Sequence, residues 1–371
     1  MLNLRGAVFL LLCSVPLNAQ TSDPGKLFQQ ATAAQHSGDN STAIRIYREL
    51  LASHPDSVEL HANLGLALAS SKQYNAAIEQ YRVVLAAQPK NVRVRLNLAL
   101  AYRQKGDLRH AASELELVHK QDPADRQAQV LLAECYYRLD RYADVISILE
   151  PLETVLPDDL DVAWMLGSAM IRTGYAEQGL QRVDRVAEQG HSADAYLLAG
   201  QSRLGRTEYD LARSDAEHAL KINPALPGAQ TLWGMSLEQS GDYDAAENAL
   251  RAALTQDPND FDAHYYLGAI FYFRRDLLNA RTELEAALRL RSDSSDARYE
   301  LALVSRAEGK LDDALSNLEA VEKQNPDWLK PHIELSSLYF QLKRPEDGAR
   351  ERQIVERLQA AQEQSAQPAN R

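Results

Sequence analysis

Residues 58–91 read VELHANLGLALASSKQYNAAIEQYRVVLAAQPKN, and this stretch decides the fold. Apolar residues recur in it at helical spacing, with Leu64 and Leu68 in a first segment and Tyr81 in a second. Pro89 lacks an N–H group and pushes its predecessor toward extended geometry, so it ends the second segment. The stretch therefore predicts two antiparallel helices followed by a turn.

The same pattern repeats along the chain with a period of 34 residues. Prolines that share the place of Pro89 are Pro55, Pro123, Pro157, Pro224, Pro258 and Pro326. With that proline at position 32, residues 24–362 divide into ten repeat units, which begin at Pro24, Val58, Val92, Arg126, Leu160, Ala193, Pro227, Phe261, Ser295 and Leu329. A fixed period of this length indicates stacked supersecondary units, each covering the apolar face of its neighbour.

Two positions of each unit carry small side chains, with Val145 as the only larger residue among them. Position 8 holds Ala31, Gly65, Ala99, Ala133, Gly167, Gly200, Gly234, Gly268, Ala302 and Ser336. Position 20 holds Ala43, Ala77, Ala111, Val145, Gly179, Ala212, Ala246, Ala280, Ala314 and Gly348. We expect these positions to let the two helix backbones approach closely. Glycine between the helices, as at Gly38, Gly106, Gly174, Gly241 and Gly309, supplies a left-handed turn. A proline near a unit start, as at Pro227 or Pro331, suits the first turn of a helix.

These residues resemble the tetratricopeptide repeat family: small residues at positions 8 and 20, large apolar or aromatic residues at 11 and 24, and proline at 32. The resemblance covers about nine-tenths of the chain. It implies an all-α, right-handed superhelical solenoid of about ten helix-turn-helix repeats. The family's tryptophan at position 4 is absent, and His61, His264 and His332 stand at that position in three units. We interpret these histidines as packing residues.

The N-terminus differs from the repeats. Arg5 precedes an apolar run from Gly6 to Leu17 and then a polar stretch, which is the pattern of a secretory signal peptide. We predict a signal peptide at 1–19, a linker at 20–23, the solenoid at 24–362 and a disordered tail at 363–371. Leu12 directly before Cys13 argues against lipid attachment, so the predicted location is periplasmic or secreted, with no integral membrane span.

Composition favours a binding protein over an enzyme. The chain has 371 residues and a net charge of −12, which argues against nucleic-acid binding. Without residues 1–19, Cys135 is the only cysteine, so no internal disulfide is expected. No His-Glu-x-x-His pair or phosphate-binding glycine cluster occurs, and the acidic stretch 257–262 reads as a turn followed by a helix cap. We predict no catalytic residue, no cofactor and no metal.

The family resemblance places positions 2, 5, 9, 12 and 13 on a concave groove. Three groups of candidate partner-binding residues follow: a basic set (Arg103, Arg138, Arg172), an aromatic set (Tyr265, Tyr272, Phe273, Tyr299), and Tyr137, Trp164 and Arg306. Tyrosine and arginine are enriched at interface hot spots. Two alternatives stay open, since the aromatic residues could pack between units and the arginines could pair with nearby acids.

One use of the family is disfavoured. Its members that bind chaperone tails hold a carboxylate with lysine and asparagine at positions 5 and 9. Here those positions carry Ala62 and Leu66, then Leu96 and Leu100. The clamp is absent.

The period falters at 160–226, where a unit lacks its proline and the register is uncertain. Pro151 lies inside the preceding second helix and should kink it. We predict a flexible segment there. The expected function is a non-enzymatic scaffold of the cell envelope that binds a protein or peptide in the groove, in an assembly, secretion or export complex. The alternative is a carbohydrate- or polymer-binding subunit of a polysaccharide export machine. The oligomeric state stays open.

Overall fold

The computed structural model describes residues 23–366, and all regular secondary structure within that range is α-helical. Twenty helices are present there. They are α1 Pro24–His36, α2 Asn40–Ser53, α3 Val58–Ser70, α4 Tyr74–Ala87, α5 Val92–Lys105, α6 Leu108–Gln121, α7 Arg126–Arg138, α8 Tyr142–Glu153, α9 Leu160–Arg172, α10 Ala176–Gln189, α11 Ala193–Gly205, α12 Tyr209–Ile222, α13 Ala229–Gln239, α14 Tyr243–Gln256, α15 Phe261–Phe273, α16 Leu277–Leu290, α17 Ser295–Ala307, α18 Leu311–Gln324, α19 Leu329–Gln341 and α20 Pro345–Ala366. Each odd-numbered helix and the next form one helical hairpin, so the all-α repeat architecture is confirmed.

Nine of the ten first helices begin at the residue that the period predicts. The exception is α13, which begins at Ala229 because Gly228 has a left-handed backbone (φ 81°) and stands outside the helix as its cap. The prediction that Pro227 occupies a first helical turn was therefore wrong. Pro331 does lie in the first turn of α19, as predicted.

Nineteen of the twenty residues at positions 8 and 20 are buried where the two helices of a hairpin cross, and Ser336 is half-buried. A Cβ atom placed on Gly179 would lie 2.6 Å from the carbonyl oxygen of Gly167, and one on Gly268 would lie 2.6 Å from Leu284 Cγ. Such distances are far below van der Waals contact, so no larger side chain fits without displacing a neighbour. The predicted close approach of the backbones is confirmed.

The turn inside each hairpin needs one residue in the left-handed region. Gly106 meets this need with φ 86° and caps α5, and the four other predicted turn glycines also have positive φ. Where the sequence offers no glycine, Lys72 takes φ 60° in the same place. The acidic stretch 257–262 is the predicted turn and cap, because Asp260 accepts a hydrogen bond from the Ala263 N–H at 3.1 Å and caps α15.

In four repeats the residue at position 4 ties the inter-repeat turn to the second helix. Nε2 of His264 lies 3.1 Å from the carbonyl oxygen of Pro258, and its Nδ1 lies 2.6 Å from Glu283 Oε2. Arg95 makes the same two contacts, to the Pro89 carbonyl and to Glu114. His61 and His332 repeat this arrangement, so the structural interpretation of the position-4 histidines is confirmed.

The chain consists of two compact bodies. The N-terminal body ends at Leu152 and the C-terminal body begins at Glu153. The boundary falls at the end of α8, which contains Pro151 and has 12 residues where the other second helices up to α18 have 14. Pro151 thus lies in the last turn of a shortened helix.

Repeat register is kept through the irregular region. A Cβ atom on Gly200, at position 8, would lie 3.2 Å from the carbonyl oxygen of Ala212, at position 20. These two residues therefore pack as their counterparts do.

The ends of the chain bear on two other predictions. Helix α20 continues to Ala366, so residues 363–366 are helical and the predicted disordered tail was wrong for them. The predicted signal peptide at 1–19 lies outside the described residues, as do 20–22 and 367–371.

Candidate binding surface

The basic set does not form one free cationic surface. Arg103 is half-buried and ion-paired with Glu134 of the next repeat, at 2.9 Å. Arg138 is exposed at the end of α7. Both belong to the N-terminal body, whereas Arg172, which is exposed at the end of α9, belongs to the C-terminal body. For Arg103 the alternative of pairing with a nearby acid is the one that the structure supports.

Two further candidates pack on neighbouring side chains. The ring of Tyr137 meets that of Tyr142 edge to face, with centroids 5.6 Å apart. Trp164 is half-buried against an apolar cluster that includes Leu180 and Val183. Both residues contribute to packing while part of each ring stays accessible.

The aromatic set is divided by burial. Tyr265 and Tyr272 are half-buried, and Phe273 is 63% exposed with its centroid 4.4 Å from that of Tyr243. Tyr299 is only 9% exposed, because it packs against Trp328 at 5.1 Å within the core of the last repeats. The first three can contact a partner, but Tyr299 is a core residue.

Arg306 is neutralised by its surroundings. Its guanidinium forms an ion pair with Glu334 and donates to Ser337 Oγ at 2.9 Å. Like Arg103, it bridges two successive first helices.

The first helices of the C-terminal body form a continuous face. Helix α13 contacts α11 and α15, and α15 contacts α17. We call the side of α11, α13, α15 and α17 that carries positions 2, 5, 6, 9, 12 and 13 the first-helix face. A cavity of about 480 Å³ opens among these helices, lined in part by Gln201, Leu204, Met235, Asp262 and Tyr266.

Four carboxylates stand on this face, an acidic set (Glu238, Asp262, Asp296, Glu300) that the sequence reasoning missed. Burial raises the pKa of Glu300, and the charges of Asp296 and Glu238 raise it further while Lys330 opposes them. Burial also raises the pKa of Glu238 and of Asp262. Glu300 is therefore close enough to Asp296 and Glu238 for their charges to repel its carboxylate.

The same carboxylates also raise the pKa of two tyrosines on the face. Burial raises the pKa of Tyr266 to about 12, with Glu238 and Asp262 as the leading charges that add to the effect. Burial raises the pKa of Tyr265 as well, and there Glu300 and Asp296 are the leading charges. Aromatic rings and carboxylates thus share one surface, on α13, α15 and α17.

The signal that could have found the acidic set was present in the repeat frame. Asp262 and Asp296 are at position 2, Glu300 is at position 6 and Glu238 is at position 12. The sequence reasoning examined positions 5, 12 and 13 for aromatic and basic residues only. An acidic residue at position 2 is also common for a structural reason, because a negative charge in the first turn interacts favourably with the helix dipole.

One group of side chains within residues 23–366 has the composition of a metal site. Glu322, His332 and Glu351 each bring a ligand atom within 4.8 Å of the others. His332 and Glu351, however, are the position-4 residue and its second-helix partner, and His264 with Glu283 forms the same pair. The bridge between turn and helix accounts for both residues without a metal.

The one cysteine among residues 23–366 is enclosed. Cys135 is buried in α7, and burial raises its pKa to about 11. A buried thiol held in its neutral form is a weak nucleophile and a poor metal ligand.

Length and hydropathy also bear on membrane association. Within residues 23–366, no helix combines the length and apolar character that crossing a membrane requires.

The fold and its first-helix face define a helical-hairpin solenoid, a class of protein that binds partners along extended surfaces. A family model described as tetratricopeptide repeat matches residues 28–92, 231–294 and 271–327, and a second model of the same description matches 102–166. Together these matches cover more than half of the chain. The chain belongs to the tetratricopeptide repeat family.

The fold is shared with solved structures of low sequence identity. The chain aligns over 91% of its length with 88% of a chain in the APC/C hetero-tetramer Cut9–Hcn1, at 12% identity and a TM-score of 0.53. It aligns over 69% of its length with 98% of a tetratricopeptide repeat protein from Parabacteroides merdae ATCC 43184, at 14% identity and a TM-score of 0.51. The chain aligns over 46% of its length with 96% of MamA from Desulfovibrio magneticus RS-1, at 22% identity and a TM-score of 0.42. Identities this low concern the fold alone.

Proposed function

We propose that this protein is a non-enzymatic scaffold of the cell envelope that binds a segment of another protein on the first-helix face of its C-terminal body. The observation that carries the proposal is the clustering of accessible aromatic rings of α15 with carboxylates of α13 and α17 that form no ion pair among residues 23–366. A soluble protein gains nothing in stability from partly buried like charges, so their presence on one face favours a binding role.

Aromatic side chains supply the contact area that such binding needs. Tyr265, Tyr272 and Phe273 present large, rigid surfaces with few rotatable bonds, which is why aromatic residues are frequent among binding hot spots. The cavity beside Tyr266 gives a partner side chain a place to insert. A segment several residues long can lie across these features at once.

The envelope location rests on the predicted signal peptide. A fusion of residues 1–19 to a reporter that is active only after export tests it, with a fusion that begins at residue 24 as the control. Export of both fusions, or of neither, would contradict the proposed location. An assembly, secretion or export complex is the setting that we propose for an exported scaffold of this family.

A position-specific crosslink tests the binding surface. A photoreactive amino acid replaces Tyr272 on the first-helix face, and in a separate variant it replaces Leu278, which is 75% exposed on the second helix α16. We expect one defined partner to crosslink at 272 and not at 278. The substitution Tyr265→Ala should abolish that crosslink, and a partner recovered equally from both positions would contradict the proposal.

The carbohydrate-binding alternative has less support. Stacking of sugar rings needs several exposed aromatic rings in a row. Tyr299 is not exposed, because it is buried in the core of the last repeats. Binding of glycans at position 272 with no protein partner would nevertheless favour it.

A further inference from the structure

Three carboxylates of the acidic set have no full counter-charge on the described part of the chain. Glu300 and Asp296 take part in no hydrogen bond or ion pair among residues 23–366, and Glu238 accepts one hydrogen bond, from the Gln239 amide. The fourth, Asp262, lies 3.8 Å from Arg291. Glu238, Asp296 and Glu300 therefore present charge that a partner could neutralise.

The cations near this face do not cancel that charge. Lys330 is exposed and acts on Glu300. Arg306 is already paired with Glu334, and Arg291 stacks over the ring of Phe261, 4.1 Å from its centroid. Two exposed cations, Lys330 near Glu300 and Arg275 beside Tyr272, thus stand against three acids, of which Glu238 and Glu300 are half-buried and Asp296 is exposed. The face therefore keeps a net negative charge.

The aromatic rings beside the acids suit the stems of basic side chains. Lysine and arginine lay their methylene groups along apolar surface and keep the charged end in a polar site. Their cations are also attracted to aromatic faces, and Arg275 already lies 5.8 Å from the ring centroid of Tyr272. A lysine or arginine side chain can therefore pack its methylene groups on a ring of this face and place its charge beside a carboxylate.

We propose that the first-helix face of the C-terminal body selects a lysine- or arginine-rich segment of its partner protein. The basic side chains place their stems over Tyr265, Tyr266 and Tyr272 and their charges against Glu238, Asp296 and Glu300. The inference rests on the proposed function and adds the chemical class of the partner. The inference rests on charge complementarity. The carboxylates of the face repel an acidic segment, and a neutral segment leaves them without a counter-charge, so a basic segment binds best.

Synthetic peptides give a direct test with the full chain. The probes are fluorescent repeats of lysine, alanine, glycine and leucine, with glutamine or glutamate in place of lysine as the neutral and acidic counterparts. We expect the lysine peptide to bind at low salt, and its affinity to fall as salt is raised.

Matched variants assign that binding to the face. Glu238→Gln with Glu300→Gln should weaken the lysine peptide by roughly tenfold or more, since two charge-assisted contacts are lost. Glu356→Gln with Glu363→Gln removes the same charge from exposed positions of α20 and should leave the affinity unchanged. Circular dichroism of each variant checks that the fold is retained.

The outcomes separate this inference from the proposed function. Equal loss in both double variants would overturn the inference, because the attraction would then come from net charge alone. Binding of the neutral or acidic peptide as tightly as the lysine peptide, weakened by Tyr265→Ala, would overturn the inference and leave the proposed function standing. Absence of binding by every peptide would overturn the inference, and absence of the crosslink at 272 as well would overturn both.

Discussion

The hydroxyl of Tyr47 donates a hydrogen bond to Gln35 Oε1 at 3.0 Å, whereas Tyr81, its equivalent one repeat later, is 1% exposed and has no hydrogen-bond partner for its hydroxyl among residues 23–366. The difference comes from positions 9 and 12 of the first helix. The first repeat has Thr32, 3.4 Å from the Tyr47 hydroxyl, and Gln35, whereas the second repeat has Leu66 and Ala69. A buried hydroxyl without a partner destabilises a fold by about 1–3 kcal/mol.

Ala69→Gln should therefore stabilise the protein by about 1 kcal/mol, because it restores an acceptor at the position from which Gln35 reaches Tyr47. Urea unfolding followed by circular dichroism measures the effect. Tyr81→Phe is the control background, since it removes the hydroxyl. An equal gain from Ala69→Gln in that background would show that the hydrogen bond is not the cause.

Gly179→Ala should destabilise the protein by about 1–3 kcal/mol, despite the better helix propensity of alanine. The new Cβ would meet the backbone of α9, 2.6 Å from the Gly167 carbonyl oxygen, which cannot move aside as a side chain can. Gly205→Ala is the matched control, because a Cβ there meets nothing within 4 Å. Thermal unfolding of the two variants should shift in different directions, with Gly205→Ala neutral or stabilising.

His264→Ala should weaken the link between the turn at Pro258 and helix α16 by about 1–3 kcal/mol, because it leaves the partly buried Glu283 without its partner. His264→Arg should recover most of the loss, since Arg95 makes both contacts at the same position of another repeat. Hydrogen exchange of the amides near 258–264 measures the local effect. Equal protection in the alanine and arginine variants would contradict the proposed bridge.

Glu300→Gln should stabilise the free protein at pH 7, raising its unfolding midpoint by roughly a few degrees. Burial raises the pKa of Glu300 above its unfolded value of about 4.3, so the ionised form opposes folding. The penalty is present above the folded pKa and declines as the pH falls toward the unfolded pKa, below which both forms are neutral. The difference between variant and wild type should therefore vanish below about pH 4.

Limited proteolysis should cut first within 150–206, the region where the period falters. Helix α8 is short there and the boundary between the two bodies follows Leu152. Mass spectrometry of the first fragments locates the cut. Cleavage at inter-repeat turns elsewhere with none in 150–206 would contradict the predicted flexible segment.

The sequence by itself determined the repeat architecture. The spacing of prolines, small residues and turn glycines placed nine of the ten first helices at their observed starts, because each requirement is local to one helix pair. It also identified the position-4 histidines as structural, since their place in the repeat is a packing position. The start of α13 was predicted wrongly at Pro227, whereas the helix begins at Ala229. The repeat pattern could not reveal this, because the left-handed cap at Gly228 has no counterpart in the other repeats.

Only the tertiary structure decided which surface residues are available for binding. Tyr299 and Tyr265 share position 5, yet one is enclosed beside Trp328 and the other stays half-exposed, because the neighbouring repeats differ. Arg103 and Arg306 were candidates by type, but Glu134 and Glu334 of the following helices neutralise them. Burial and charge at a repeat surface depend on residues 30 or so positions apart, and only folding brings those residues together.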